Sequence, residues 1–263
     1  MQQRTYKGYL LDLDGTIYRG GEVIPEAIDF IARLTVQGIP YLYVTNNSSM
    51  TPQQLADKVQ KMGIPTKPEQ FFTSSMAVAE TIRKMEDERQ EQRQAAVLAI
   101  GETGLCTALA EKGIAVTDKA PADYVVVGID RSFSYEKMKQ ATLAIYGGAR
   151  FLSTNCDRAI PTEEGLVPGN GALTASIAYA TNQQPLYVGK PEETIIKLAL
   201  ERLGLAAEDV IMVGDNLETD IACGENGGVD TLLVYTGFSR AEHIETSRVK
   251  PTYTIQSLTE WTV

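Results

Sequence analysis

The chain has 263 residues, 43% apolar and 22% charged, which is enough to bury a sizeable core or to form two modest domains. Its formal net charge is −10, from 24 basic and 34 acidic residues, so nucleic acid and anionic membrane are excluded as expected partners because both need a basic surface. A small anionic substrate stays admissible, since one metal ion and one lysine can reverse the local field.

No run approaches the length of a membrane span or a signal peptide, and a cytoplasmic location is expected. Cys106, Cys156 and Cys223 are odd in number and far apart, without CxxC spacing, as expected of packed thiols in a reducing compartment. His243 is the single histidine, which argues against chemistry that needs several.

In chain order, the first predicted strand is Tyr9–Leu11, running into Asp12-Leu13-Asp14-Gly15-Thr16. On a strand, alternate side chains share a face, so Asp12 and Asp14 project together and Leu13 points away. A calcium loop of EF-hand type starting at Asp12 fails, because Ile17 and Val23 stand where glycine and glutamate are required. The pair could decorate a turn, hold a cation, or react.

The second strand, Tyr41–Val44, empties into Thr45-Asn46-Asn47-Ser48-Ser49. These groups could cap turns or cradle a phosphate near a helix N-terminus. The helix itself is well marked: Thr51 as cap, Pro52 in the first turn, Gln54 completing a capping box, an apolar face of Leu55, Val59 and Met62, and Gly63 at its end. The polar run from Arg83 to Gln94 predicts a solvated helix end and a connector, and could mark a passage between domains.

Strands are then expected at Ala96–Ile100, Tyr124–Val127, Phe151–Ser153 and Leu186–Val188. The last leads into Gly189-Lys190-Pro191, where a lysine precedes a helix with Ile195, Ile196, Ala199, Leu200 and Leu203 on its apolar face and Gly204 at its end. Strand Val210–Val213 runs into Gly214-Asp215-Asn216-Leu217-Glu218-Thr219-Asp220, and Leu232–Tyr235 completes the series. Alternation of this kind predicts an α/β protein with a largely parallel sheet. Ligands bind such sheets at the carboxyl ends of the strands, so all four polar sets are expected to meet at one edge.

In this order, the four segments DLDGT, TNNS, VGKP and VGDNLETD resemble the motifs of the haloacid dehalogenase (HAD) superfamily of phosphatases. The wording is closest to its NagD and p-nitrophenyl phosphatase-like subfamily, type IIA with a C2 cap. Thr154-Asn155-Cys156-Asp157 and the loop Pro161 to Gly171 look like that cap's usual loop.

The resemblance implies a Rossmann-like parallel-sheet core with an inserted α/β cap domain: core at 1–75 and 185–263, cap at 76–184. It implies Asp12 as nucleophile and Mg2+ ligand, and Asp14 as general acid and base that lends its backbone carbonyl to the metal. Thr45 and Asn46 would hold the phosphoryl group, Lys190 would neutralise charge, and Asp215 would ligate the metal. Asp220 and Asn216 would support these groups from behind, and Asn155 and Asp157 would face the substrate.

The implied reaction is hydrolysis of small phosphate monoesters, such as sugar phosphates or nucleotides, through an aspartyl phosphate, with a homodimer left open as the assembly. A phosphotransferase or phosphomutase and a non-catalytic metal- and phosphate-binding regulator are the alternatives. A P-type pump is excluded by the missing membrane spans.

Overall fold

The structure, a computed structural model, describes residues 3–89 and 94–263. It divides into two compact units, one formed by Met1–Thr45, Gln53–Phe72 and Lys190–Val263, the other by Asn46–Pro52 and Thr73–Gly189.

The first unit is built on a six-stranded sheet in the order Tyr253–Ile255, Asp230–Val234, Val210–Gly214, Gly8–Leu11, Tyr41–Thr45, Phe71–Thr73. The register is parallel from Tyr253–Ile255 through Tyr41–Thr45. Its central strands, Gly8–Leu11 and Val210–Gly214, are buried along their whole length. Continuous apolar runs of this kind are what a parallel sheet covered on both faces demands.

Helix Pro52–Lys61 starts on the expected proline and buries Leu55, Ala56 and Val59. Helix Glu193–Leu203 buries Ile195, Ile196, Leu198 and Ala199, and Gly204 ends it in the left-handed region at φ 67°. A two-stranded hairpin, Tyr18–Arg19 with Glu22–Val23, follows directly on the Asp12–Thr16 turn.

The second unit carries its own five-stranded parallel sheet, in the order Leu186–Tyr187, Arg150–Ser153, Tyr124–Val127, Ala96–Ile100, Ala115–Thr117. Helices Tyr135–Tyr146 and Asn170–Thr181 supply Ala141, Ile145 and Ile177 to a core with Val125, Val127 and Phe151. An antiparallel hairpin, Ala159–Thr162 with Gly165–Pro168, lies in the loop that precedes the last of these helices. Of the polar run, Arg83 to Arg89 ends helix Ser74–Arg89, while residues 90–93 lie outside the described residues.

Two expectations need correction. The strand leading to Lys190 is not in the sheet that carries Asp12: Leu186–Tyr187 pairs with Arg150–Ser153 in the second unit. The last expected strand is shifted, forming at Asp230–Val234 with Tyr235 beyond its end. In the chain, the compact units change over at 72/73 and 189/190, beside the expected 75/76 and 184/185, and residues 46–52 group with the second unit. Among the described residues no helix is long and apolar enough to cross a membrane.

Candidate active site

Asp12 stands one residue beyond strand Gly8–Leu11 and keeps the ladder going, its N–H donating to Val213 O at 2.9 Å. Asp215 holds the matching place after Val210–Gly214, the neighbouring strand. Parallel pairing therefore brings the two carboxylates to the same edge. Asp220 is returned to them by a π-helical turn over Leu217–Ile221, a wide turn that often marks functional sites. The three buried carboxylates offer oxygens that all lie within 4.8 Å of one another.

Lys190 enters this cluster from three residues ahead of helix Glu193–Leu203. Its Nζ donates to Asp12 Oδ1 at 2.5 Å and to Asp220 Oδ1 at 2.7 Å, and it is 2% exposed. Burial alone would strip its proton, but Asp12 and Asp220 hold the ammonium well above the ordinary lysine range. Burial pushes the Asp12 carboxyl well up, as do the charges of Asp220 and Asp215, against the pull of Lys190. Asp215 is raised to about 7 by burial first and by Asp220 second, with the Phe238 N–H working in the opposite direction.

The remaining groups are held by specific bonds. Asp220 Oδ2 accepts the backbone amides of Asp215 at 3.1 Å and Asn216 at 3.0 Å, so both of its oxygens are engaged. Asp215 Oδ2 accepts the Phe238 amide at 2.6 Å, and its Oδ1 takes the Thr16 hydroxyl at 3.3 Å. Asn216 Oδ1 accepts the Glu218 amide at 2.9 Å and so caps the π-helical turn. Gly15, at φ 97°, and Gly237 wall in Asp215, and a Cβ at either would overlap its carboxylate.

Asp14 lies outside the buried trio and is exposed, paired through its backbone with Tyr18 in an isolated bridge. Although the residue is exposed, partial desolvation by the surrounding chain raises its pKa, opposed by Lys58 and by a hydrogen bond from the Gly20 amide. Lys58, on helix Pro52–Lys61, places Nζ 3.9 Å from the centre of the Tyr18 ring. Thr45 is buried at the end of its strand.

Asn46, Asn155 and Asp157 come together in the second unit. Asn46 Nδ2 donates to both Asp157 oxygens, at 3.1 and 3.3 Å, and Asn155 Nδ2 donates to Asn46 O at 2.9 Å. Asn155 Oδ1 accepts the Asp157 amide at 3.1 Å, so side chains and backbone together tie the three residues.

Composition of the donor set decides what cation the trio suits. When all three carboxylates are ionised, the single ammonium leaves a formal excess of two negative charges in a buried place, a charge that a divalent cation would neutralise. All the donors are hard oxygens, the chemistry that takes Mg2+ and not softer metals. Asp220 already binds Lys190 and two backbone amides, and both Asp215 oxygens also accept hydrogen bonds, from the Phe238 amide and the Thr16 hydroxyl.

Sequence reasoning missed Thr16, Tyr18, Lys58 and the Phe238 amide. Thr16 was within a recognised motif, but its hydroxyl's target lies 199 positions away. Lys58 falls three residues after Leu55, on the flank of an apolar helix face, where a lysine reads as solvated.

Two family descriptions match the chain in separate pieces: Haloacid dehalogenase-like hydrolase over residues 9–115 and HAD-hydrolase-like over 187–261. The 5'-nucleotidase YutF of Bacillus subtilis is 52% identical over 98% of both chains. The chain belongs to the haloacid dehalogenase-like hydrolases. Among solved members of this family, a mutant of the thermostable p-nitrophenylphosphatase from Bacillus stearothermophilus matches with TM-score 0.88 and 49% identity over 99% of both chains. NagD from Escherichia coli K-12 matches with TM-score 0.89 and 33% identity over 97% of both. This HAD hydrolase is therefore NagD-like, with a Rossmann-like core and an inserted α/β unit.

Proposed function

We propose that this HAD hydrolase is a Mg2+-dependent phosphatase of small phosphate monoesters, acting through an aspartyl phosphate on Asp12. The observation that carries the reading is the buried convergence of Asp12, Lys190, Asp215 and Asp220 at the carboxyl edge of the first sheet. Relatives named as a nucleotidase and a p-nitrophenylphosphatase support the substrate class.

The chemistry explains each group. An ionised carboxylate needs no base to act as nucleophile, and Lys190 favours that form of Asp12, but Asp12 must approach an anionic phosphoryl group. Two like charges about 3.5 Å apart repel by roughly 5 kcal/mol at an effective dielectric of about 20. Lys190 offsets part of that repulsion and fixes the Asp12 oxygen it binds. Mg2+, held by Asp12, Asp215 and the Asp14 carbonyl, would supply Lewis-acid stabilisation of phosphoryl charge.

An Asp12 oxygen attacks phosphorus as the bond to the ester oxygen breaks, and Asp14 gives its proton to that oxygen. Asp14, now a base, takes a proton from water as the water oxygen attacks phosphorus. The bond to Asp12 breaks and inorganic phosphate leaves. Protonation of Asp14 at the start of this cycle is favoured by its raised pKa.

The inserted unit would act as a cap that selects the leaving group, with Asn155 and Asp157 on its substrate-facing loop. The protein is expected to work in the cytoplasm, without nucleic acid or membrane partners, and a homodimer is a compatible assembly.

Phosphate release from an ester panel, with Mg2+ and with EDTA, tests the reading. An acid quench with 32P-labelled ester should trap label on the wild-type protein and none on Asp12→Asn. Transfer of label to a second alcohol without phosphate release would make it a phosphotransferase, and saturable ester binding with no turnover would make it a regulator.

A further inference from the structure

Lys58 is a cation the proposed mechanism does not use. It projects from helix Pro52–Lys61, a turn before the helix ends, and is half-buried. Its ammonium lies 3.9 Å from the centre of the Tyr18 ring, within the range of a cation–π contact. Among the described residues it forms no salt bridge, whereas Lys197 is paired along its own helix with Glu193. Desolvation of this ammonium outweighs the attraction of the nearby Asp14 carboxylate and lowers its pKa, so a further negative group beside it would be favoured.

Its location says where that negative group would be. Tyr18 is 3% exposed, its backbone is paired to Asp14, and the charges of Asp14 and Asp12 both act on its hydroxyl. Lys58 and Asp14 also attract each other directly. The ammonium therefore stands on the Asp14 side of the site, while Lys190 is hydrogen-bonded to Asp12 and Asp220. Asp14 is the group that serves the leaving oxygen in the proposed mechanism, so a cation beside it faces the alcohol half of the substrate and not the phosphoryl half.

We infer that Lys58 is a specificity residue that binds a second anionic group, such as a carboxylate, on the alcohol portion of the phosphate monoester. This inference rests on the phosphatase reading and adds a substrate class to it: esters of hydroxy acids over esters of neutral alcohols. The Tyr18 ring fixes where the ammonium stands, which limits the entropy lost when the anion binds. Arginine in place of Lys58 would retain the charge and the ring contact.

A matched pair of probes tests it: 3-phosphoglycerate, which carries a carboxylate, and glycerol 3-phosphate, which does not. Steady-state kcat and KM are measured for wild type, Lys58→Met and Lys58→Arg. Turnover of either ester by wild type establishes the phosphatase reading independently of Lys58. In Lys58→Met, KM for 3-phosphoglycerate should rise about tenfold more than KM for glycerol 3-phosphate, while Lys58→Arg restores most of the difference. Equal changes on the two esters, or a loss confined to kcat, would overturn the inference and leave Lys58 a packing residue of the Tyr18 hairpin. Tm measured for each variant separates a folding defect from a specific one, because a defect in folding moves both esters alike.

Discussion

Asp220 grips Lys190 through Oδ1 at 2.7 Å while its Oδ2 accepts the amides of Asp215 and Asn216. One carboxylate thus fixes the cation, orients the backbone that presents Asp215, and closes the π-helical turn. Asp220→Ala should leave a buried ammonium half-paired and two amides without an acceptor. Breaking a buried pair from one side costs about 3–5 kcal/mol, and the expected phosphatase loss is on the order of 10²-fold or more. Urea denaturation and kcat for the same preparation check both; retention of wild-type stability would show that the amides find another acceptor.

Lys190→Met removes the cation hydrogen-bonded to Asp12 and Asp220, leaving Asp12, Asp215 and Asp220 facing one another. The metal-free variant is expected to be less stable at pH 8 than wild type. Millimolar Mg2+ should recover more of its Tm than it adds to wild type, because the divalent ion then meets three uncompensated charges. Turnover should stay below about 1% of wild type, in line with the loss of one strong electrostatic contact. An identical Mg2+ response in the two proteins would contradict this account.

In the absence of metal, stability should fall as pH rises from about 5 to 8. Asp12, Asp14 and Asp215 all have pKa values raised above the ordinary carboxylate range, Asp215 to about 7. The fold therefore keeps protons that the unfolded chain releases near pH 4. More protons bound in the folded state means that the unfolding free energy decreases with pH across that window. A Tm series in EDTA reads the slope directly, and Mg2+ should flatten it. A flat or rising metal-free curve between pH 5 and 8 would count against the cluster being the dominant titrating unit.

Gly15→Ala should damage the site more than the fold. The added methyl overlaps the Asp215 carboxylate, and φ at this position, 97°, is one that alanine adopts only with strain. Strain of this type costs roughly 1–3 kcal/mol. The displaced Asp215 should raise the Mg2+ concentration for half-maximal activity several-fold. Titration of activity with Mg2+ measures this, and an unchanged midpoint would mean that Asp215 yields without losing its place.

Much of the site was legible in the sequence because each motif is local. Asp12, Lys190, Asp215 and Asp220 each sit at or near an apolar run's end, and hydrophobic pattern locates such ends well. What pattern cannot carry is partnership across sequence. The pairing of Leu186–Tyr187 with Arg150–Ser153 depends on which two short strands meet, and nothing in Leu-Tyr says which sheet it joins. Phe71–Thr73, Ala115–Thr117 and Tyr253–Ile255 are three residues each, too short for a period to declare itself. Asn46 read as a phosphate donor from its neighbours alone, and its bonds to Asp157 span 111 positions. Lys58 gave no signal because its meaning comes from Tyr18, forty positions earlier and on a different element.

Only Val188 and Gly189 separate the last paired residue of the second sheet from the lysine that closes the first unit's acid cluster. That short tether dictates where a chimera between relatives can be spliced. A crossover at 184/185, where composition suggests a border, would transfer the donor's Ala96–Ile100 sheet without its own edge strand. Joining at 189/190 moves the whole sheet and leaves Lys190 with the acids it serves, so exchanged specificity and native catalysis could be selected separately in one library.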